Sequence, residues 1–439
     1  MNNIHIQRKR LVKTKLNYIK KLNRSGIDIS LSSLSSFSRL MFAGVGKTLD
    51  QIEFKNFEKK INLTNFIYQI KNFLRILKIH NLEIIGNYSK SNINIYKTLI
   101  VSWSSDNDFK KNGEYFDRYF QTSSNKKGVL WFLIHVGNQR PFKVKKNIII
   151  LYHPNKTYGF NLNLIIKYFY KILRYNQFSL KKIYHELSFD SFLAHRVKDF
   201  FELILNYYSP KKIIFPYESQ VFQNSIINLV RKNKRKIVTI GYNHSFHPFP
   251  IINLYHSNSP DFLYVNNNTV KKFYLKYFKW PTSKVKKISS FPLKRKKKSE
   301  LTQKVFLPYH FSYDREILKN FDFFLSSYLA TKIKPLQIKM HPTPLSPKKH
   351  LSLKKKIEYI IKKNKNKFSK DSKKSVSIHI GEVSTVIESL EVGIPVIHIV
   401  GNPIFELFSS KFWPNIIVKQ ISDRAFEYLP KNFSNGKFL

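Results

Sequence analysis

The chain has no cysteine among its 439 residues, which excludes disulfides, thiolate metal sites and a cysteine nucleophile. Acids are scarce: 27 Asp and Glu stand against 77 Lys and Arg, for a formal net charge of +50. Long hydrophobic runs are also missing. Gly128–Val136 and Ile148–Tyr152 are the longest, far short of the ~18 residues that a membrane span needs. The basic start, MNNIHIQRKRLVKTKLNYIKKLNR, contains no apolar stretch and no small-residue cleavage site, so it does not read as a secretory signal. The expectation is a cytoplasmic, non-spanning protein. What the chain does have is 42% hydrophobic and 15% aromatic residues, enough for folded cores and against wholesale disorder. Its length suits two or three domains.

So large a charge would suit a nucleic-acid binder, because phosphate contacts need cations. The kind of cation argues otherwise: 14 of the basic residues are Arg and the remaining 63 are Lys, whereas Arg is the usual fork for base edges and phosphates. No recognition-helix or RNA-motif signature accompanies the charge. Most of it reads as a solvated surface, with denser knots at Lys294–Lys298, Lys348–Lys356 and Lys362–Lys374. No specific nucleic-acid partner is expected; an anionic membrane surface or a phosphorylated substrate is the remaining use for the cations.

Hydrophobic periodicity predicts an α/β chain. Leu49–Leu77 has helical spacing. Val129–Val136 and Asn147–His153 are strand-like, and Asn161–Tyr175 and Ser191–Tyr207 are helical. A strand–helix–strand unit follows over Lys212–Pro216, Gln220–Lys232 and Lys236–Gly241, which implies parallel pairing under covering helices. The proline-bearing stretch Asn243–Pro260 is the expected interdomain connection. Beyond it the alternation is cleaner: strand Lys304–Leu307, helix Arg315–Leu329, strand Leu336–Met340, helix His350–Lys362, strand Val376–Ile380, helix Thr385–Glu391 and strand Ile394–Val400. In such doubly wound sheets ligands sit at the carboxyl ends of the strands.

Two strand ends carry the most information. After Val376–Ile380 comes Gly381-Glu382-Val383-Ser384-Thr385-Val386-Ile387-Glu388. Gly381 lets the chain turn, Ser384 and Thr385 can cap the helix, and the freed backbone N–H groups favour an anion. Glu388, one turn on, can reach ribose hydroxyls, and Gly393 ends the helix. One strand earlier, His341 ends a strand and Pro342 and Pro344 stiffen the loop after it. The plain alternative is a capped helix with a surface Glu388 and a structural His341.

These residues resemble the His-Pro and Ser-Ser/Ser-Thr motifs of bacterial sialyltransferases and capsule-type glycosyltransferases with the GT-B fold. Glu388–Val396 is similar to the Glu-x-x-x-x-Gly-x-Pro-Val element of GT-B donor domains. The resemblance implies that His341, Pro342, Ser384 and Thr385 grip the donor's phosphate and that Glu388 binds its ribose. A second series, Tyr217-Glu218-Ser219-Gln220, Gly241-Tyr242-Asn243-His244-Ser245, Tyr255-His256 and Ser259-Pro260-Asp261, resembles a family of bacterial O-antigen and capsule biosynthesis proteins, with Asn243 where Gln is expected. Ser102-Trp103, Asp108-Phe109, Gly113, Tyr115 and Asp117-Arg118-Tyr119-Phe120 look like that family's N-terminal block.

The expected architecture is therefore GT-B-like, two Rossmann-like domains facing across a cleft. Its divisions are a basic extension over 1–48, an acceptor-side domain over 49–255, a nucleotide-sugar domain over 256–415, and a tail over 416–439 returning to the first domain. The implied activity moves a sugar from a nucleotide-activated donor to a surface polysaccharide (lipopolysaccharide included) or lipid-linked acceptor, at the inner face of the membrane. A non-catalytic nucleotide-sugar-binding protein of the same pathway is the alternative, and a charge-driven nucleic-acid binder a third reading. Glu218, His244 and Asp108, the last in a cluster with Asp106 and Asp117, are the candidates for the base. Two structural alternatives stand beside them: Glu218 as a cap for Gln220–Lys232, and Asp117–Arg118 as an ion pair. No cofactor and no metal are expected: His244, His247 and His256 lack companion carboxylates at ligand spacing, and Gly44–Thr48 lacks the first glycine of a P-loop.

Overall fold

The computed structural model describes residues 4–10, 82–86, 96–137, 139–141, 143–152, 162–175, 189–233, 236–244, 254–265, 268–288, 297–309, 314–341, 346–381 and 383–431, with single positions 13, 17, 20, 24, 30 and 311. The expected helix over Leu49–Leu77 and the segment Gly44–Thr48 lie outside these residues, as does His247.

The first unit contains β1 (Glu83–Ile85), β2 (Thr98–Ser104), the small hairpin β3 (Phe116–Asp117) and β4 (Thr122–Ser123), β5 (Val129–His135), β6 (Ile148–Tyr152), α1 (Leu162–Tyr175), α2 (Phe189–Tyr207), β7 (Lys212–Pro216), α3 (Val221–Lys232), β8 (Val238–Tyr242), β9 (Phe262–Val265), α4 (Asn268–Tyr277) and β10 (Val285–Lys287). Its sheet runs β1-β6-β5-β2-β7-β8-β9-β10, parallel except for β1. From β6 to β9 this is the Rossmann strand order. Strands β5 and β6 are buried along their whole length, as a sheet covered on both faces requires.

The second unit contains β11 (Lys304–Phe306), α5 (Asp314–Phe323), β12 (Gln337–Lys339), α6 (Pro347–Lys363), β13 (Ser377–Ile380), α7 (Thr385–Glu391), β14 (Val396–Ile399), α8 (Pro403–Glu406), β15 (Ile416–Gln420) and β16 (Ala425–Pro430). Its order is β12-β11-β13-β14-β16-β15, with the first four strands parallel and the last two antiparallel. The protein is thus an α/β chain of two Rossmann-like units.

Two boundaries differ from the sequence expectation. Residues beyond 256 still serve the first sheet, because β9 pairs with β8 and β10 with β9. Asp261 explains the first of these pairings: its Oδ2 accepts from both the backbone N and Oγ1 of Thr239 at 2.8 Å, sewing β9 to β8. The change of sheet falls between Lys287 and Lys304. Residues 416–430 do not return to the first sheet; β16 pairs antiparallel with β14 and completes the second.

The units share apolar surface: Phe273 and Tyr277 of α4 meet Phe412 at ring distances of 5.2 and 5.3 Å. The basic extension takes part as well. Residues 4–10 are helical, and Arg8 is fully buried. Its Nη2 donates to Leu407 O at 2.7 Å and Pro403 O at 3.2 Å, and its Nε to Ile404 O at 2.5 Å, covering carbonyls at the end of α8. Burial lowers this guanidinium to about 9, so it stays protonated at neutral pH. Farther on, Ser30 O accepts from Asn224 Nδ2 of α3 at 2.9 Å.

Candidate functional site

In the first sheet the chain runs outward through β5 and β6, then returns to lay β7 on the other side of β2. The switch point therefore lies between the carboxyl ends of β2 and β7, where doubly wound sheets open a crevice. Three of the sequence candidates stand at this edge. Pro216 pairs with Tyr242 in register, so Glu218 and His244, two residues farther along each strand, come level on neighbouring loops. His244 Nε2 lies 3.4 Å from Glu218 Oε1, and both side chains are largely buried. Gly241 makes the approach feasible, because a Cβ there would sit 2.8 Å from Tyr217 Cβ and 2.9 Å from Pro260 Cγ.

The Glu218 carboxylate is not the cap of α3. Gln223 fills that role: its Oε1 accepts from Glu218 N and Gln220 N at 3.1 Å each, and its Nε2 donates to Pro216 O at 2.8 Å. Glu218 Oε2 accepts from Gln220 Nε2 at 2.8 Å. Between them Ser219 adopts a positive φ of 55°, the sparsely populated backbone found at functional turns. Its Oγ lies 2.9 Å from His256 Nε2, whose other nitrogen accepts from Asn258 N at 3.2 Å. His256 therefore donates to Ser219 and braces the turn.

Asp108 follows β2, and its lone pairs are committed. Arg118 Nε approaches Oδ1 at 2.8 Å and Arg118 Nη2 approaches Oδ2 at 3.1 Å, while Ser105 N and Oγ donate to Oδ2 at 2.7 and 2.9 Å. This is a fork-on-carboxylate pair that holds the β3–β4 hairpin to the end of β2. Asp117 is structural too: Oδ1 accepts from the backbone of Tyr119 and Phe120, and Oδ2 from Tyr115 Oη at 2.7 Å. Burial raises its pKa. The expected Asp117–Arg118 ion pair is thus replaced by Asp108–Arg118. Asp106 Oδ1 stands 3.3 Å from His135 Nε2, and His135 Nδ1 is 3.0 Å from Ser104 Oγ. Ser104 is buried and its hydroxyl is already tied to His135, so this chain of groups packs the end of β2.

Tyr119 joins these groups, a role the motif block did not reveal. Its ring meets the His244 ring edge-on at 4.7 Å and Trp103 at 5.4 Å, and Trp103 stands against Phe222 at 5.7 Å. Burial, and after it the Glu218 charge, pushes the Tyr119 phenol well above its ordinary value. Arg118 and Tyr119 ride on the turn of the β3–β4 hairpin that follows β2.

In the second sheet the switch point lies between β11 and β13. Phe306 is level with Lys339 on one side and His379 on the other, so His341, Pro308 and Gly381 form a row two residues on. The His341 ring meets Tyr309 edge-on at 5.4 Å. Pro342 lies outside the described residues. Gly381 turns with φ 67° and Gly393 ends α7 with φ 74°, as their sequence positions predict.

The Ser-Thr turn differs from expectation. Ser384 is itself helical and makes no side-chain cap bond. Thr385 Oγ1 instead lies 3.1 Å from Nδ1 of the buried His379, whose Nε2 lies 2.8 Å from Ser377 Oγ and 3.2 Å from Ser389 Oγ. This internal network pins the start of α7 to β13. Glu388 is half-buried on α7. Among the described residues no group of three or more His, Asp or Glu could hold a metal ion.

No protein-family model matches the chain, and no curated protein matches it. Solved structures similar to it include a glycosyltransferase from Rickettsia africae ESF-5, with 13% identity, 70% of this chain and 80% of that chain covered, and a TM-score of 0.31. The apo form of the lipopolysaccharide outer core galactosyltransferase WaaB gives 11%, 69%, 80% and 0.30. The H548A form of the wall teichoic acid polymerase TagF gives 8%, 79%, 79% and 0.28. Likeness at this level leaves functional assignment to the chain's own geometry.

Proposed function

We propose that this protein is a GT-B-type glycosyltransferase, moving a sugar from a nucleotide-activated donor to a growing surface polysaccharide or lipid-linked acceptor at the inner face of the membrane. The observation that carries the reading is the Glu218–His244 pair at the β2/β7 switch point. With the Nε2 proton turned towards Glu218, the lone pair sits on Nδ1. That atom is buried and has no hydrogen-bond partner among the described residues, and an unpaired buried acceptor of this kind calls for a ligand or a catalytic task.

His244 Nδ1 takes the proton of an acceptor hydroxyl as its oxygen forms a bond to the donor's anomeric carbon. The bond from that carbon to the nucleotide's phosphate oxygen breaks, and the nucleotide leaves with the electron pair. Glu218 stabilises the imidazolium that results. The donor lies across the β11/β13 switch point. His341 contacts its phosphate, the turn at Ser384 and Thr385 supplies backbone N–H groups, and Glu388 holds the ribose. The chemistry assigned to these residues calls for no metal.

Calorimetry against a panel of cytidine, uridine, guanosine and adenosine nucleotides tests the reading. At least one should bind, and His341→Ala should weaken it by about tenfold or more, the loss of one charge-assisted hydrogen bond. Failure of every nucleotide to bind would overturn it. Binding without sugar transfer to any acceptor extract would instead identify a non-catalytic pathway protein.

A further inference from the structure

Helix α1 (Leu162–Tyr175) has the composition of an element built for an interface. Its sequence LNLIIKYFYKILRY carries three basic residues and no acid. At 3.6 residues per turn, Leu162, Ile166, Tyr170 and Leu173 form one stripe, with Asn163 and Lys167 beside it. Leu162, Ile166 and Tyr170 are 53%, 54% and 61% exposed, and Lys167 is exposed as well. Ile165, off this stripe, is buried and gives the helix an inner side. Scattered exposed apolar residues need no explanation, whereas a helical stripe of them bordered by an exposed lysine, on a helix with no acid, does.

We propose that α1 is a membrane-docking helix, lying in the plane of an anionic bilayer with Leu162, Ile166 and Tyr170 among the acyl chains and the lysines at the headgroups. The occupant follows from charge. A chain of net charge +50 is repelled by a second copy of itself and attracted by an anionic leaflet. An apolar stripe bordered by cations is also the pattern of helices that lie on membranes rather than cross them. Crossing is excluded by size and hydropathy: no described helix is long and apolar enough to span. The inference rests on the proposed function only for the bilayer as neighbour, and on none of its chemistry.

The test is flotation of the full chain with vesicles of phosphatidylcholine alone and with phosphatidylglycerol added. Binding should require the anionic lipid and weaken with salt. Ile166→Asp combined with Tyr170→Asp should reduce it about tenfold or more at low salt, with an unchanged thermal melt. Lys167→Glu combined with Lys171→Glu should reduce it and flatten the salt dependence. The absence of cysteine permits a second measurement that needs no loss of stability. An environment-sensitive dye on Ile166→Cys should shift blue and become shielded from an aqueous quencher on anionic vesicles, while the same dye on Tyr359→Cys, at a 70% exposed site of the second unit, should do neither. Undiminished binding of the apolar double variant would overturn the proposal, assigning attachment to diffuse charge. So would failure to float with anionic vesicles, or self-association abolished by the same variant. Flotation without nucleotide binding would sink the transferase reading alone, and nucleotide binding without flotation would sink this one alone.

Discussion

Glu218 and His244 lie two residues beyond the ends of adjacent parallel strands, at the same level, with 3.4 Å between carboxylate and imidazole. The pair owes nothing to helix capping, since Gln223 holds the start of α3. His244→Ala should therefore cost roughly 10²–10⁴-fold in transfer rate, the usual worth of a general base, with donor affinity unchanged. Glu218→Gln keeps the shape and removes the charge, and its rate should fall by about tenfold or more. Turnover and calorimetry on the same preparations check both; wild-type turnover by His244→Ala would exclude it as the base.

Tyr119 is the wall against which the imidazole stands. Tyr119→Phe keeps the ring and should transfer sugar at close to the wild-type rate. Tyr119→Ala should lose transfer and also about 1–3 kcal/mol of stability, less than a fully buried aromatic ring costs because this one is half-buried. Equal loss in both variants would mean that the hydroxyl, rather than the packing, is what matters.

Gly241 in β8 lies against Tyr217, just beyond β7, and Pro260, just before β9. Gly241→Ala should destabilise by about 1–3 kcal/mol through overpacking, seen as a lower denaturant midpoint. It should also depress transfer by parting Glu218 from His244. An unchanged midpoint would show that the Tyr217 and Pro260 side chains yield easily.

Burial lowers the pKa of His135, against opposing contributions from Asp106 and the Gln139 carbonyl. Below about 6.5 the unfolded imidazole takes up a proton that the folded one refuses. The unfolded state then binds more protons, so this contribution is complete above that pH and is lost as pH falls towards the folded value. The denaturant midpoint should drop between pH 7.5 and pH 5.5, and His135→Gln should flatten the change. Burial raises Asp117, which acts in the opposite sense: its contribution is present at low pH and lost as pH rises through the folded value.

The sequence showed the alternation of strands and helices because apolar period and turn residues are local properties. Strands such as Val129–His135 and Lys212–Pro216, and helix Thr385–Glu391, fall within a residue of expectation. Pairing is not local. Nothing in the four residues Phe262–Val265 says which sheet they join; that depends on Asp261 meeting Thr239 across the chain. Glu218 and His244 were legible as candidates from a motif, but their meeting depends on the register of β7 against β8. Tyr119 stood in the motif without a role and Arg118 was matched to Asp117 rather than Asp108, because a two-strand hairpin has too little periodicity to show where it folds. The Ser-Thr turn lacks the expected side-chain cap for a further reason: a buried histidine on the preceding strand competes for the Thr385 hydroxyl.

Arg8 links the second unit to the start of the chain through carbonyls of residues 403–407. Arg8→Ala should lower stability by about 1–3 kcal/mol by orphaning them. Arg8→Lys should not restore the loss, because an ammonium cannot reproduce the fork. The span also orders events during synthesis. Arg8 and Leu407 are 399 residues apart, and at ~5–20 residues per second the ribosome takes roughly 20–80 seconds to go from one to the other. For that interval the basic segment is exposed and without its native seat, so it is available to whatever anionic surface lies near the nascent chain. Its docking on α8 can follow only once residues 403–407 have been made.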